Sequence, residues 1–287
     1  MGALVAITAI WGSTFLIVQD VVEVMPVNAF LAWRFGIATI VLLAIRPRVL
    51  RGLPASVRNQ GIILGAALGI GYILQTIGLL STSATVSGFI TGMFVVFTPL
   101  ISAVVLRTRI SPLAWVAVGL ATIGLALLSL HDFSIGVGEL LTLGCAFLFA
   151  VQIVGLGMWS TPDKAYALTV LQLGTVAVLT LFASIPGGGP GIPPSTATWV
   201  AILFLALVAT AAAFIVQTWA QAHIAATRAA IVLTLEPVFA GFTGVVIGGE
   251  VLTGRIVAGA VCILVAMYLA ELGPRGGADA MVAHLEP

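Results

Sequence analysis

Long apolar runs separated by short polar breaks dominate this chain, and each run approaches the roughly 20 residues that a membrane-crossing helix needs. Helices are the expected element, because in hydrocarbon a backbone must satisfy its own amides. The first run, Ala3 to Gln19, ends at an acidic turn where Asp20, Glu23 and Pro26 interrupt the pattern. The second covers Val27 to Ile45 and contains one charge, Arg34. A loop with Arg46, Arg48, Arg51 and Arg58, broken by Pro47, Gly52 and Pro54, follows. The uncharged stretch from Arg58 to Arg107 is too long for one crossing and holds two, with a tight turn near 80–84. Pro112 opens a fifth span that ends near Leu130, and a sixth runs from Gly136, with Glu139 in its first turn, to Trp159. Between Lys164 and Arg228 two more spans fit around the Pro- and Gly-rich loop 186–195. A ninth span, Ala225 to Ile247, and a tenth, Gly254 to Ala270, bring the expected count to ten before a polar tail.

Composition makes the solvent explicit: 61% of the residues are hydrophobic and 7% charged, with a mean hydropathy of +1.22. A soluble domain would carry about a quarter charged residues, so the soluble enzyme folds are excluded. The formal charge of +1 offers no basic footprint for nucleic acid. Cys145 and Cys262 both lie in apolar runs and read as buried free thiols. The N-terminus lacks a basic segment and a small-residue cleavage site, and reads as a retained helix. Placing it in the cytoplasm puts Arg46 to Arg58, Arg107, Arg109, Lys164, Arg228 and Arg275 inside. Asp20, Glu23, Asp132 and Glu250 then lie outside, the asymmetry that governs insertion.

The chain also contains a likeness of itself. Gln75-Thr76 and Ala84-Thr85 match Gln217-Thr218 and Ala226-Thr227 at one constant offset, and Pro99 answers Pro237 about a helical turn closer. Two repeats are expected, 1–132 and 133–272, with 273–287 as a cytoplasmic tail. Five crossings each is an odd number, so the halves insert in opposite senses, the construction that supports alternating access.

Polar side chains inside such helices need a partner or a wet cavity. Tyr72, Gln75, Thr76 and Leu79 form one stripe of the third span, and Gln217 and Gln221 stand one turn apart in the eighth, with Trp219 and His223 beyond. Thr8, Trp11, Phe15 and Gln19 line the first span beside Ser13 and Thr14; the fourth carries Phe89, Thr91, Met93 and Phe94, and the sixth Gln152. We read Trp11, Ser13, Thr14, Tyr72, Gln75, Thr76, Phe89, Met93, Gln152, Gln217 and Gln221 as the wall of a central substrate cavity. Interhelical hydrogen bonding is the competing role for each. Glu236, before Pro237, is either a coupling or ammonium-receiving charge or a structural one, and Arg34 reads as an anchor that pairs or snorkels. His223 reads as a solvated interface residue. Gly61, Gly65 and Gly69, and Gly88 and Gly92, recur every fourth residue as close-packing faces. Metal-ligating clusters, phosphate loops and catalytic motifs are missing from the sequence, and no cofactor or enzyme activity is expected.

The motifs WGSTF at 11–15, Arg34-Phe35, LTLEPVFAG at 233–241 and GGEVLTG at 248–254 resemble the EamA-type carriers of the drug/metabolite transporter superfamily over essentially the whole chain. The first repeat departs from the family's acid-proline pair with Thr98-Pro99, and SGFITGMFVVFTPL at 87–100 resembles the branch of YddG-type amino acid exporters. The resemblance implies an all-α membrane protein of ten helices in two inverted five-helix repeats around a cavity, both termini cytoplasmic. It implies outward movement of metabolites, and we read the chain as a secondary exporter of small metabolites, amino acids and aromatic ones among them, working by alternating access in a bacterial inner membrane, with a monomer as the expected state. Trp11, Arg34, Glu236, Pro237 and Glu250 match family positions. Import, or carriage of nucleobases, quaternary amines or drugs, remains an alternative, as does a lipid-binding or flippase-like role.

Overall fold

The computed structural model describes residues 2–105, 112–131, 134–223, 232–233 and 235–272. Span one is α1, Gly2–Val24, and span two is α2, Val27–Ile45. Asp20 and Glu23 are exposed on the last turns of α1, so the helix outruns the predicted stop at Gln19. Termination falls to Pro26, whose ring disfavours helical backbone at the residue before it. Span three is α3, Ala55–Gly78. Span four is two helices, α4 (Ala84–Gly92) and α5 (Phe94–Val105), broken at Met93, with Pro99 inside α5 removing one further backbone donor. Ser83 caps α4 by accepting the Val86 N–H at 3.2 Å. Span five is α6, Pro112–Ser129, followed by a two-residue ribbon, β1 (Leu130–His131) antiparallel to β2 (Ser134–Ile135).

Spans six and seven are α7, Val137–Trp159, and α8, Ala165–Ser184. Span eight starts as α9, Thr196–Ala206, widens into a π-turn over Leu207–Ala212, and resumes as α10, Ala213–Gln221. Span nine is seen as α11, Glu236–Val246, and span ten as α12, Gly254–Leu272. The kink expected at Pro237 is instead a helix start, since proline in a first turn gives up a donor that has no intrahelical partner. Parts of the predicted ninth span, the loop arginines Arg107 and Arg109, Asp132, Arg228 and the tail lie outside the described residues. Among the described residues seven helical segments are long and apolar enough to cross a membrane; Trp115–Leu127, Glu236–Val246 and Gly254–Leu269 are shorter apolar helices.

The packing shows the inverted repeat. Span one lies along span nine as span six lies along span four; span three meets span seven as span eight meets span two. Spans two and seven, four and nine, and five and ten pair directly. Exchanging each span with the one five further on carries these contacts into one another, the pattern of an internal two-fold relation between the halves. Glycine sets the approach in several of these seams. A methyl on Gly61 would lie 2.5 Å from Leu171 Cβ, and one on Gly65 would lie 2.6 Å from Thr175 Cβ and 2.7 Å from the Gln172 carbonyl, so α8 lies directly in the glycine groove of α3. Gly12 meets the Glu236 carbonyl and Phe239 across the span one to span nine seam in the same way.

The outward surface carries Ile40, Ile63, Ile70, Phe182, Val200 and Phe242, among many exposed large apolar side chains. In water this would be an aggregating patch far beyond what monomers present; in lipid it is the solvated face.

Candidate functional site

Seven spans converge on one cavity that encloses about 600 Å³ of space free of atoms, its open mouth included. The α1 wall is Trp11, Thr14, Phe15 and Val18, spaced i, i+3, i+4 and i+7, and α2 contributes Arg34. From α3 come Leu68, Tyr72, Gln75 and Leu79; from α5, Phe94; from α7, Phe149, Gln152 and Ile153. Phe214 and Gln217 of α10, Leu233, and Glu236 of α11 close the ring, so both repeats build the site.

The aromatic side chains are locked to one another. Tyr72 packs edge-on to Phe35 at 4.9 Å between ring centroids and lies 5.1 Å from Phe149, and Trp11 sits 5.4 Å from Phe214. The Trp11 indole N–H donates to the Ala209 carbonyl at 2.8 Å, which ties span one to the π-turn of span eight.

That π-turn also orients the buried cation. The Thr210 hydroxyl donates to the Leu205 carbonyl five residues earlier at 2.8 Å and accepts from Arg34 Nε at 2.8 Å. Its single proton is spent inside the helix, so its lone pair faces the guanidinium. The guanidinium carbon lies 5.4 Å from the Phe35 ring centroid and 5.1 Å from that of Tyr72, within cation–π range. Arg34 is 3% exposed, and no carboxylate among the described residues forms an ion pair with it. Glu236 is 7% exposed and lines the same cavity, and its carboxylate has no ion-pair or hydrogen-bond partner among the described residues. Charges at this depth are costly unless matched.

Three amides complete the polar lining. Gln75 Nε2 donates to Thr91 Oγ1 at 3.1 Å, Gln152 Nε2 donates to Gln172 Oε1 at 2.8 Å, and Gln217 Oε1 has no partner among the described residues.

Of the side chains singled out in the sequence, the cavity wall includes Trp11, Thr14, Tyr72, Gln75, Gln152, Gln217, Arg34 and Glu236. The others lie elsewhere. Ser13 donates back to the Ile10 carbonyl at 2.9 Å, and Thr76 is buried off the cavity. Phe89 and Met93 belong to the buried apolar cluster shared with α12, because the break at Met93 leaves Phe94 as the fourth span's contribution to the wall. Gln221 donates to the Ile153 carbonyl at 3.3 Å and joins spans eight and six. Glu250 is also away from the cavity: its carboxylate accepts the backbone N–H of Ala84 at 2.9 Å and of Thr85 at 3.2 Å, capping α4 from the opposite repeat. His223 is exposed, with its ring 4.4 Å from that of Trp219. Sequence reading missed Phe149, Phe214 and Gln172; Gln172, a lone amide in an apolar span, carried a signal that passed unused.

Ten apolar spans in two inverted repeats, around a cavity lined by aromatic, amide and charged side chains, are the architecture of a membrane transporter. The EamA-like transporter family model matches residues 1–130 and again 136–272, and the chain belongs to that family. An uncharacterized transporter of Archaeoglobus fulgidus is 33% identical over 271 residues, covering 94% of this chain and 84% of the relative. A solved structure titled only as the crystal structure of a protein shares the fold with a TM-score of 0.66 at 19% identity, over 99% of this chain and 98% of that one.

Proposed function

We propose that this transporter is a secondary exporter of small metabolites, amino acids and aromatic ones among them, working by alternating access in a bacterial inner membrane with both termini in the cytoplasm. One observation carries the substrate class. Arg34 and Glu236, of opposite formal charge, line one cavity and lack ionic partners among the described residues. A zwitterion brings a carboxylate for the guanidinium and an ammonium for the carboxylate, and so matches both charges without leaving either buried alone. The rings of Trp11, Phe94, Phe149 and Phe214 give an apolar side chain a surface to lie on. Outward direction rests on the family resemblance, and the cytoplasmic termini on the arginine-rich loops.

Counterflow in sealed proteoliposomes tests the reading. Vesicles loaded with unlabelled phenylalanine or leucine are expected to accumulate the labelled amino acid transiently and saturably. Arg34→Met, which removes the only described cation of the cavity, is expected to lower that exchange at least tenfold. Exchange of nucleobases or quaternary amines, with none of any amino acid, would refute the substrate class and leave the transporter standing.

A further inference from the structure

The cavity amides are not equivalent, because one of them is held in a single orientation. Gln152 in α7 and Gln172 in α8 are 2% and 0% exposed, and only Gln152 reaches the cavity. Gln172 Nε2 donates to the Leu168 carbonyl at 3.2 Å, and Gln172 Oε1 accepts from Gln152 Nε2 at 2.8 Å. An amide's oxygen and nitrogen look alike in shape, and only the network decides which is which. Here the network ends on a backbone carbonyl, which can only accept. Turning Gln172 over would set its oxygen against the Leu168 oxygen; turning Gln152 over would set two oxygens face to face. The chain of bonds leaves one arrangement, in which Gln152, a residue of the cavity wall, keeps an Oε1 with no donor among the described residues.

We propose that Gln152 Oε1 is a subsite for a substrate N–H, and that Gln172, which never touches substrate, is the positioning residue that keeps an acceptor there. This rests on the transporter reading above and sharpens its substrate class to amines that carry at least one N–H. A buried acceptor that meets a methyl group instead of a donor stays unsatisfied, so the site discriminates against permethylated nitrogen. Glu236 in the same cavity favours a charged donor, a protonated amine, over a neutral amide.

The test is competition in counterflow by leucine, N-methylleucine and N,N,N-trimethylleucine, with the corresponding isoamylamine series to remove the carboxylate. Wild type is expected to favour the first two members of each series over the permethylated one by about tenfold or more. Gln172→Met frees Gln152 to turn and is expected to bring that preference within about threefold. Gln172→Glu in its protonated form keeps an acceptor toward Gln152 and a donor toward Leu168, and is expected to restore the preference. A purely structural role would lower exchange while leaving the ratio alone. Should Gln172→Met fail to fold, Gln152→Met carries the same expectation. Equal competition by all members in wild type, or an unchanged ratio in Gln172→Met or Gln152→Met, overturns the proposal. So does failure of every amine to compete, whereas saturable counterflow of some other solute would then keep the transporter reading alive.

Discussion

The seam between α4 and α11, where spans four and nine meet across the internal two-fold, offers a quantitative test of the packing. A methyl group added to Gly88 would overlap the Ala240 methyl, while the next nearest atoms, Ala240 Cα and Pro237 Cα, would stand at 3.9 Å in ordinary contact. The obstacle is therefore one methyl and nothing behind it. Overpacking of this kind costs about 1–3 kcal/mol, against which Ala gains roughly 1 kcal/mol over Gly in a helix interior. Gly88→Ala is thus expected to destabilise by up to about 2 kcal/mol. Ala240→Gly loses helix propensity and contact, about 1 kcal/mol. In the double variant the methyl has moved across the seam, the propensity terms cancel, and stability is expected to return to near that of wild type. The coupling energy of the cycle is then about 1–3 kcal/mol and stabilising. Reversible unfolding of all four proteins in mixed detergent micelles measures it. A coupling within about 0.5 kcal/mol of zero would refute this contact.

Three further outcomes follow from individual bonds. Glu250→Ala removes the carboxylate that holds the Ala84 and Thr85 amides and is expected to lower stability by about 1–3 kcal/mol. Glu250→Gln, which keeps an acceptor, should lose less, and equal losses in the same micelle titration would argue against a charged cap. Trp11→Phe keeps a ring against Phe214 but drops the bond to the Ala209 carbonyl; the expected loss is about 1 kcal/mol, with weaker substrate competition in counterflow. Gly65→Ala forces α3 off α8 against Thr175 and the Gln172 carbonyl, and an unchanged melting temperature would contradict the groove.

Span positions were legible because proline, glycine and charge punctuate the apolar runs, and the repeat because Gln75-Thr76 recurs as Gln217-Thr218. Helix rotation was harder to read. A helix that is apolar all round has no amphipathic face to declare its orientation, so α4 could not be distinguished from a cavity wall, and Phe89 and Met93 face a packed core instead. On α1 the expected row through Thr8 and Gln19 turns by one position, and the wall runs through Thr14 and Val18. The π-turn was invisible because LVATAA reads as ordinary helix. Only the bond from Thr210 to Leu205 and the guanidinium on its other side show why the turn widens there. Arg34, read in sequence as an anchor seeking a pair or the interface, finds a hydroxyl and two aromatic faces, none of which its own neighbours in the chain could announce except Phe35.

Accessibility of a single cavity side chain tests the central claim most directly. With Cys145 and Cys262 replaced by alanine, Gln75→Cys places a thiol on the wall that spans one, two, three, four, six, eight and nine share. A membrane-impermeant thiol reagent is applied to right-side-out and to inverted vesicles, with and without saturating substrate. Alternating access predicts labelling from each face in turn, with substrate shifting the two rates in opposite directions or protecting from both. Labelling from one face only, whatever the substrate, or from neither, would contradict the account.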